Sequence, residues 1–425
     1  MTIDSGWNKI IKTAVPTAFR DQLADDVMPS TVFIDGQIKL MCSSSIQLWT
    51  VFFKVQFLAT IEQAFKTGAT TVVLGFDDYS AVPEAKNMTQ LKRSRHVPAM
   101  VFNETDELPP IMPTDWASAM RNRTFKVKVI KMIIMNIQNH YSQDDSLSKT
   151  KKTIIVDFVG PPHIIGYPVE LPDLSGKRGE CDIKAFAWMC YGPLLIFSTD
   201  GDFVAISLVQ LERVIAATRS RHHVFLLRMK TKVENVGKHS RDGPVKREYE
   251  YVDMLAILNW VNTQMSSLSP NISPAKSFAA LVAVTGCDFA MNLPSIGPSK
   301  LWAARDDFIN LDLTTPEGLF MALTRVYYKL YHKKIQVISN ISSSQHDFDS
   351  ITQLYAQVAA SIKSSTKISQ VVQSRTWQWP RMQAHVRNAH WTLQYWTDLQ
   401  HYPDPVTGAF GFLRQGKHVT FEGDV

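Results

Sequence analysis

Apolar residues along this chain fall into short unbroken runs separated by stretches of helical spacing. Thr31–Ile34 is a β-branched and aromatic run that stops on Asp35 and Gly36, the pattern of a buried strand. From Ile46 to Lys66 the residues Trp49, Phe52, Phe53, Leu58, Ile61 and Phe65 recur at helical spacing, with Gly68 placed to end the helix. Thr70–Phe76 reads as a second buried strand and runs into Asp77 and Asp78. Lys152–Val159 and Leu194–Thr199 read as two more, the latter followed at once by Asp200 and Asp202. Strand–helix–strand with short turns predicts a parallel α/β sheet. In such a sheet the active crevice lies at the carboxyl ends of the strands, so the pattern gathers Asp35, Asp77, Asp200 and Asp202 at one edge. A single strand ending in aspartate is ordinary, because aspartate favours turns and helix caps; three in one sheet are harder to attribute to that preference.

Between Pro83 and Lys152 the sheet pattern is interrupted. Pro98, Pro109, Pro110 and Pro113, with Glu104, Asp106 and Glu107, predict an exposed irregular segment. A basic amphipathic stretch, Arg121–Ile137, follows and carries Arg123, Lys126, Lys128 and Lys131. An insertion beside an active edge suits a lid or substrate gate; a decoration with no part in chemistry is the plain alternative. Beyond Tyr251 the pattern is mainly helical. Thr315, Pro316 and Glu317 start a helix towards Lys334 by capping logic, and Ser343–Ser361 is another candidate. Trp377, Trp379, Trp391 and Trp396 near the end read as core rather than as a base-stacking platform.

Composition narrows the class. Of 425 residues, 45% are hydrophobic and 20% charged, which describes an ordinary globular protein with a sizeable core. No run approaches the length of a membrane-spanning helix, and the N-terminus lacks the pattern of a signal peptide. Cys42, Cys181, Cys190 and Cys287 form no Cys-x-x-Cys pair and are too few for a disulfide framework, so they are expected as reduced thiols of an intracellular protein. The net charge is +6 and the pI near 8.9. Between Arg213 and Arg247 ten Lys/Arg face two acids, an excess that can track a phosphate backbone or form a solvated basic face.

With the strands placed, a set of motifs resembles the FEN/XPG superfamily of structure-specific 5′ nucleases, in a divergent form similar to those of large DNA viruses. Gly6-Trp7-Asn8-Lys9-Ile10-Ile11 resembles the family's N-terminal segment, and Ile34-Asp35-Gly36 its first acidic strand end. Gly75-Phe76-Asp77-Asp78, Gly179-Glu180-Cys181-Asp182 and Ser198-Thr199-Asp200-Gly201-Asp202 are similar to the next three acidic elements. Thr285-Gly286-Cys287-Asp288-Phe289 and Ser295-Ile296-Gly297-Pro298-Ser299-Lys300 resemble the last acidic motif and the turn of a helix–two-turn–helix. Each motif alone is weak; their order and spacing over residues 6–302 carry the resemblance.

The resemblance implies a PIN-like parallel central sheet flanked by helices, with an arch-like helical insertion at about 83–152. A helix–two-turn–helix element would lie at about 275–310. Residues 1–310 would form the nuclease core and 311–425 a helical, Trp-rich extension. It implies seven metal-binding carboxylates: Asp35, Asp77, Glu180, Asp182, Asp200, Asp202 and Asp288. Alone they would repel one another. Two Mg²⁺ ions, with Mn²⁺ able to substitute, suit all-oxygen ligation and drive in-line phosphodiester hydrolysis. Glu180, Asp182 and Asp200 are the first choices for inner-sphere ligands, with Asp35 and Asp77 supporting the attacking water.

Lys86 and Arg93, seven positions apart on one helical face, would steer the scissile phosphate, with Lys92 and Arg95 as competitors. Ser295, Gly297, Ser299 and Lys300 would contact duplex backbone, with a K⁺ ion held at the turn. Asp182 stands where the family has glutamate, Met41 where it often has an aromatic, and Gly6 is not N-terminal. No PCNA-binding motif closes the chain. The expected substrate is branched, flapped or nicked DNA, cut as an endonuclease and as a 5′→3′ exonuclease in replication, recombination or repair. The setting would be a nucleus or a viral replication compartment. An RNA-directed nuclease on the same fold and a non-catalytic DNA-binding scaffold are the competing readings.

Overall fold

The computed structural model describes residues 6–23, 27–41, 46–79, 100–142, 150–165, 179–198, 201–219, 221–229, 249–266, 272–287, 296–331, 379–398, 403–405, 410–415 and 418–421. The chain opens with α1 (Trp7–Ala14) and β1 (Phe19–Arg20), then β2 (Thr31–Asp35) and α2 (Gly36–Met41). α3 (Trp49–Phe53), a π-helical turn and α4 (Ala59–Lys66) lead to β3 (Thr71–Gly75). α5 (Trp116–Ala119) and α6 (Arg123–Ser142) lead to β4 (Thr153–Asp157) and β5 (His163–Ile164). After α7 (Cys181–Ala187) come β6 (Leu194–Phe197), α8 (Asp202–Thr218), β7 (Val224–Met229) and β8 (Tyr249–Asp253). Then follow α9 (Met254–Met265), α10 (Pro274–Thr285), α11 (Pro298–Ala303), α12 (Pro316–Tyr331), α13 (Trp379–Thr397) and a hairpin of β9 (Phe412–Gln415) and β10 (His418–Phe421).

β1 to β8 form one sheet in the order β1-β8-β7-β6-β2-β3-β4-β5. Its five central strands run parallel, with Thr31 opposite Thr71 and Leu194, Thr71 opposite Thr153, and Leu194 opposite Val224. Side chains alternate across the pleat and so divide the core in two. Val32, Ile34, Val72, Leu74, Ile154 and Val156 pack with α3, α4 and α6. Phe33, Val73, Ile155, Ile196 and Leu226 face the larger cluster built from α1 and α7 to α13.

Strand order fixes where a site can form. From β2 the chain moves outward through β3 to β4, then returns to β2's other side as β6 and continues to β7. The crossover helices α4 and α6 cover one face and α8 the other. Strand order therefore reverses between β2 and β6, and at such a switch point the loops part at the carboxyl ends to leave a crevice.

The structure sharpens three readings. From Arg123 on, the basic stretch Arg121–Ile137 belongs to α6, whose Phe125, Val129, Ile130, Ile133 and Ile137 are buried against the sheet. It is a crossover helix docked by its apolar stripe, while most of the insertion's first part, residues 80–99, lies outside the described residues. Within the basic segment Arg213–Arg247, the apolar run at Val224 forms an interior strand, so the charge excess is no single exposed face. The carboxy-terminal region also holds the β9–β10 hairpin. Ser343–Ser361 lies outside the described residues.

Other expectations hold. Gly68 adopts φ +90 after α4, a left-handed conformation that glycine takes without strain. The Thr315 hydroxyl accepts the Gly318 amide at the start of α12. Trp391 and Trp396 are core residues of α13, and the Gln210 amide on α8 donates to the Trp396 and Thr397 carbonyls. No helix among the described residues is long and apolar enough to cross a membrane.

Candidate functional site

At the β2–β6 switch point the first acid is Asp35, the last residue of β2 and 6% exposed. Its Oδ1 accepts the Gln37 amide at 2.9 Å, and its Oδ2 accepts the Ser198 hydroxyl at 3.2 Å. Ser198 is the residue after β6, so this bond closes the crevice directly. Asp77 leaves β3 two residues beyond Gly75 and is buried. Its Oδ1 accepts the Cys181 amide at 2.9 Å, while the Asp78 amide donates to the Gly179 carbonyl at 2.6 Å. These two bonds clamp the start of α7 onto the end of β3.

Gly75 makes that approach possible: a Cβ there would stand 2.2 Å from the Phe33 ring and 2.8 Å from the Cys181 sulfur. Glu180, 1% exposed, is the residue preceding α7, and Asp182 lies in its first turn. Acids there are favoured by the helix dipole. Asp202 is the first residue of α8 and 4% exposed, on the same sheet edge.

The Cys181 thiol reports the field between these groups. Burial pushes its pKa well up, and Asp35, Asp77 and Asp182 push it further, against the opposing pull of Lys184. Three acids from three separate elements therefore act on one buried sulfur.

Asp157, the last residue of β4, was not among the expected site residues. It is 3% exposed, and the Lys184 ammonium pairs with its Oδ1 at 3.0 Å. Lys184 also donates to the Phe158 carbonyl. The signal was present in the sequence, since Thr153–Asp157 is again an apolar strand closing on aspartate.

Of the remaining expected residues, Asp200, Asp288, Ser295, Lys86 and Arg93 lie outside the described residues, as do Lys92 and Arg95. Gly297 is extended and precedes Pro298 at the start of α11, with open space where a Cβ would stand. Ser299 and Lys300 are exposed on α11. The first motif meets this turn directly: a Cβ on Gly6 would lie 2.6 Å from the Pro298 ring, and Trp7 Nε1 donates to Thr285 Oγ1 at 2.9 Å.

Among the described residues no group of three or more His, Cys, Asp or Glu side chains forms a ready metal site. Asp35 and Asp77 are each turned to a hydrogen-bond donor, and two further expected ligands fall outside those residues. The donor set is nonetheless all carboxylate oxygen, the chemistry that suits hard divalent cations.

No family model matches the chain, and no curated protein matches it. Among solved structures, the chain is similar to the catalytic core of Rad2 in complex with DNA substrate, at 13% identity and a TM-score of 0.39, covering 87% of this chain and 85% of that one. A superposition at that score adds no weight to the site, which stands on its own side chains, and the viral likeness gains nothing from it.

Proposed function

We propose that the chain is a metal-dependent nuclease that cuts branched, flapped or nicked DNA at the β2–β6 crevice. One observation carries the reading. Buried Asp35 and Asp77 lie at the ends of β2 and β3, at the sheet's switch point, and the Cys181 amide bonded to Asp77 brings Asp182 and buried Glu180 to the same edge. Clustered buried acids are costly unless cations offset them. The order of acidic motifs in the sequence supports the same reading.

In it Glu180, Asp182 and Asp200 are the first ligands, joined by Asp35, Asp77, Asp202 and Asp288. Two bound Mg²⁺ ions would neutralise the phosphate and supply a nucleophilic water for in-line hydrolysis. The chain's own part is orientation. Ser198 and the Gln37 amide fix both oxygens of Asp35, and the Cys181 amide fixes one of Asp77. Lys86 and Arg93 would steer the scissile phosphate. Ser295, Gly297, Ser299 and Lys300 would hold duplex backbone without reading sequence, with K⁺ at the turn. Residues 1–310 would act as the nuclease core and 311–425 as its extension.

The test offers a labelled 5′ flap, a nicked duplex, a four-way junction and matched RNA to the protein with Mg²⁺ or EDTA. Cleavage of a branched or nicked DNA is expected with Mg²⁺ only, and Asp200→Asn should abolish it. A wild type that cuts nothing, or an Asp200→Asn variant that matches it, ends the reading. Preferential cleavage of RNA replaces the substrate assignment.

A further inference from the structure

An anionic crevice repels a polyanion unless cations stand at its rim. Lys126 Nζ lies 5.1 Å and Arg123 Cζ 5.7 Å from the centroid of the Tyr79 ring. On the β6 side, Lys39 Nζ lies 4.2 Å from the Phe197 ring. Tyr79 comes two residues after Asp77, and its hydroxyl donates to Gln37 Oε1 at 3.2 Å. Gln37 in turn holds Asp35 through its backbone amide. The Gln37 Nε2 donor is buried and has no hydrogen-bond partner among the described residues.

Arg123 and Lys126 sit in the first turn of α6, whose buried Phe125 and Val129 fix its position on the sheet. Asn122 caps that turn by accepting the Phe125 amide at 2.9 Å. The helix dipole adds positive potential at the same end. Because the Tyr79 ring already carries two cations, it serves as a platform for charge rather than as an open stacking surface.

We infer that Arg123 and Lys126, held over the Tyr79 ring, seat one backbone phosphate of the nucleic acid at the rim of the crevice. This rests on the nuclease reading and adds to it the chain's own docking point for the strand. The contact is sequence-independent. Arg123 and Lys126 are positioning residues: they act on where the strand lies, and through Tyr79 and Gln37 they connect to Asp35.

The test uses the full chain and a fluorescein-labelled 5′-flap DNA, with anisotropy in Ca²⁺ buffer across a salt series and cleavage in Mg²⁺. The Arg123→Ala/Lys126→Ala pair should lower the salt slope of binding by about 0.9, the loss of one phosphate contact, each single variant by part of that, and all should raise KM with little change in kcat. Lys126→Arg should restore the slope. Lys131→Ala, an equal loss of charge at an exposed position on the same helix, should leave it unchanged.

If the wild type binds and cuts while the Arg123→Ala/Lys126→Ala pair keeps the wild-type slope and KM, this inference falls and the nuclease reading stands. An equal loss from Lys131→Ala also overturns it, because the effect is then general charge. A wild type that neither binds nor cuts the DNA overturns both.

Discussion

β4 and β2 each end on a buried aspartate, yet the two ends are handled in opposite ways. Asp157 at the end of β4 is answered by the buried ammonium of Lys184 and is thereby neutralised within the fold. Asp35 at the end of β2 accepts two neutral donors, Gln37 N–H and Ser198 O–H. Around it stand more acids. A buried charge that is paired within the chain supports the structure. Buried like charges gathered from separate elements instead leave a demand for an external cation. The difference separates a structural acid from a candidate ligand more sharply than burial alone.

The largest expected effect comes from making the paired end resemble the crevice. Lys184→Met leaves Asp157 buried without its cation and should cost about 3–5 kcal/mol, the usual penalty for breaking a buried pair. The double variant Lys184→Met/Asp157→Leu should recover most of that loss in urea unfolding. If the single variant is as stable as wild type, the pair is not structural.

His385 shows a third way to bury an ionisable group, by keeping it neutral. It is 4% exposed with Nε2 at 2.8 Å from the Val284 carbonyl, and burial lowers its pKa from 6.5 to about 4. Between pH 6.5 and 4 the unfolded chain binds a proton that the folded chain refuses. Stability therefore falls as pH drops through that window, by up to about 3 kcal/mol, and nothing is lost above it. His385→Gln should flatten this part of the stability profile, measured as urea midpoints from pH 7 to 4. An unchanged slope would move the titration to another group.

Smallest, and opposite in sign, is the effect of relieving the crevice. Asp35→Asn keeps an acceptor for Gln37 N–H but removes one like charge, so it should stabilise the chain in EDTA by about 1 kcal/mol. The same variant should lose part of the thermal stabilisation that Mg²⁺ gives wild type. A variant that is less stable in EDTA and equally responsive to Mg²⁺ would erase the contrast with Asp157.

Much of this was legible in the chain. Buried parallel strands have unbroken apolar runs, so β2, β3, β4 and β6 could be placed, and with them Asp35 and Asp77. β7 was hidden because its apolar residues sit inside a basic segment, and charge drew the reading towards a surface. Asp157 carried the strand-end signal, but its role did not show, because its partner lies 27 residues further along the chain. The basic residues of α6 were visible as a charged stripe, while their seat on Tyr79 depends on how that helix docks.

The sequence by itself determined the local elements and which residue types close each strand, since both follow from short-range periodicity and turn chemistry. Only the tertiary structure decided which acids meet one another and which meets a cation. Charge interactions depend on distances between elements far apart in the chain, and those distances exist only once β6 has paired with β2 and α7 has settled over Gly75.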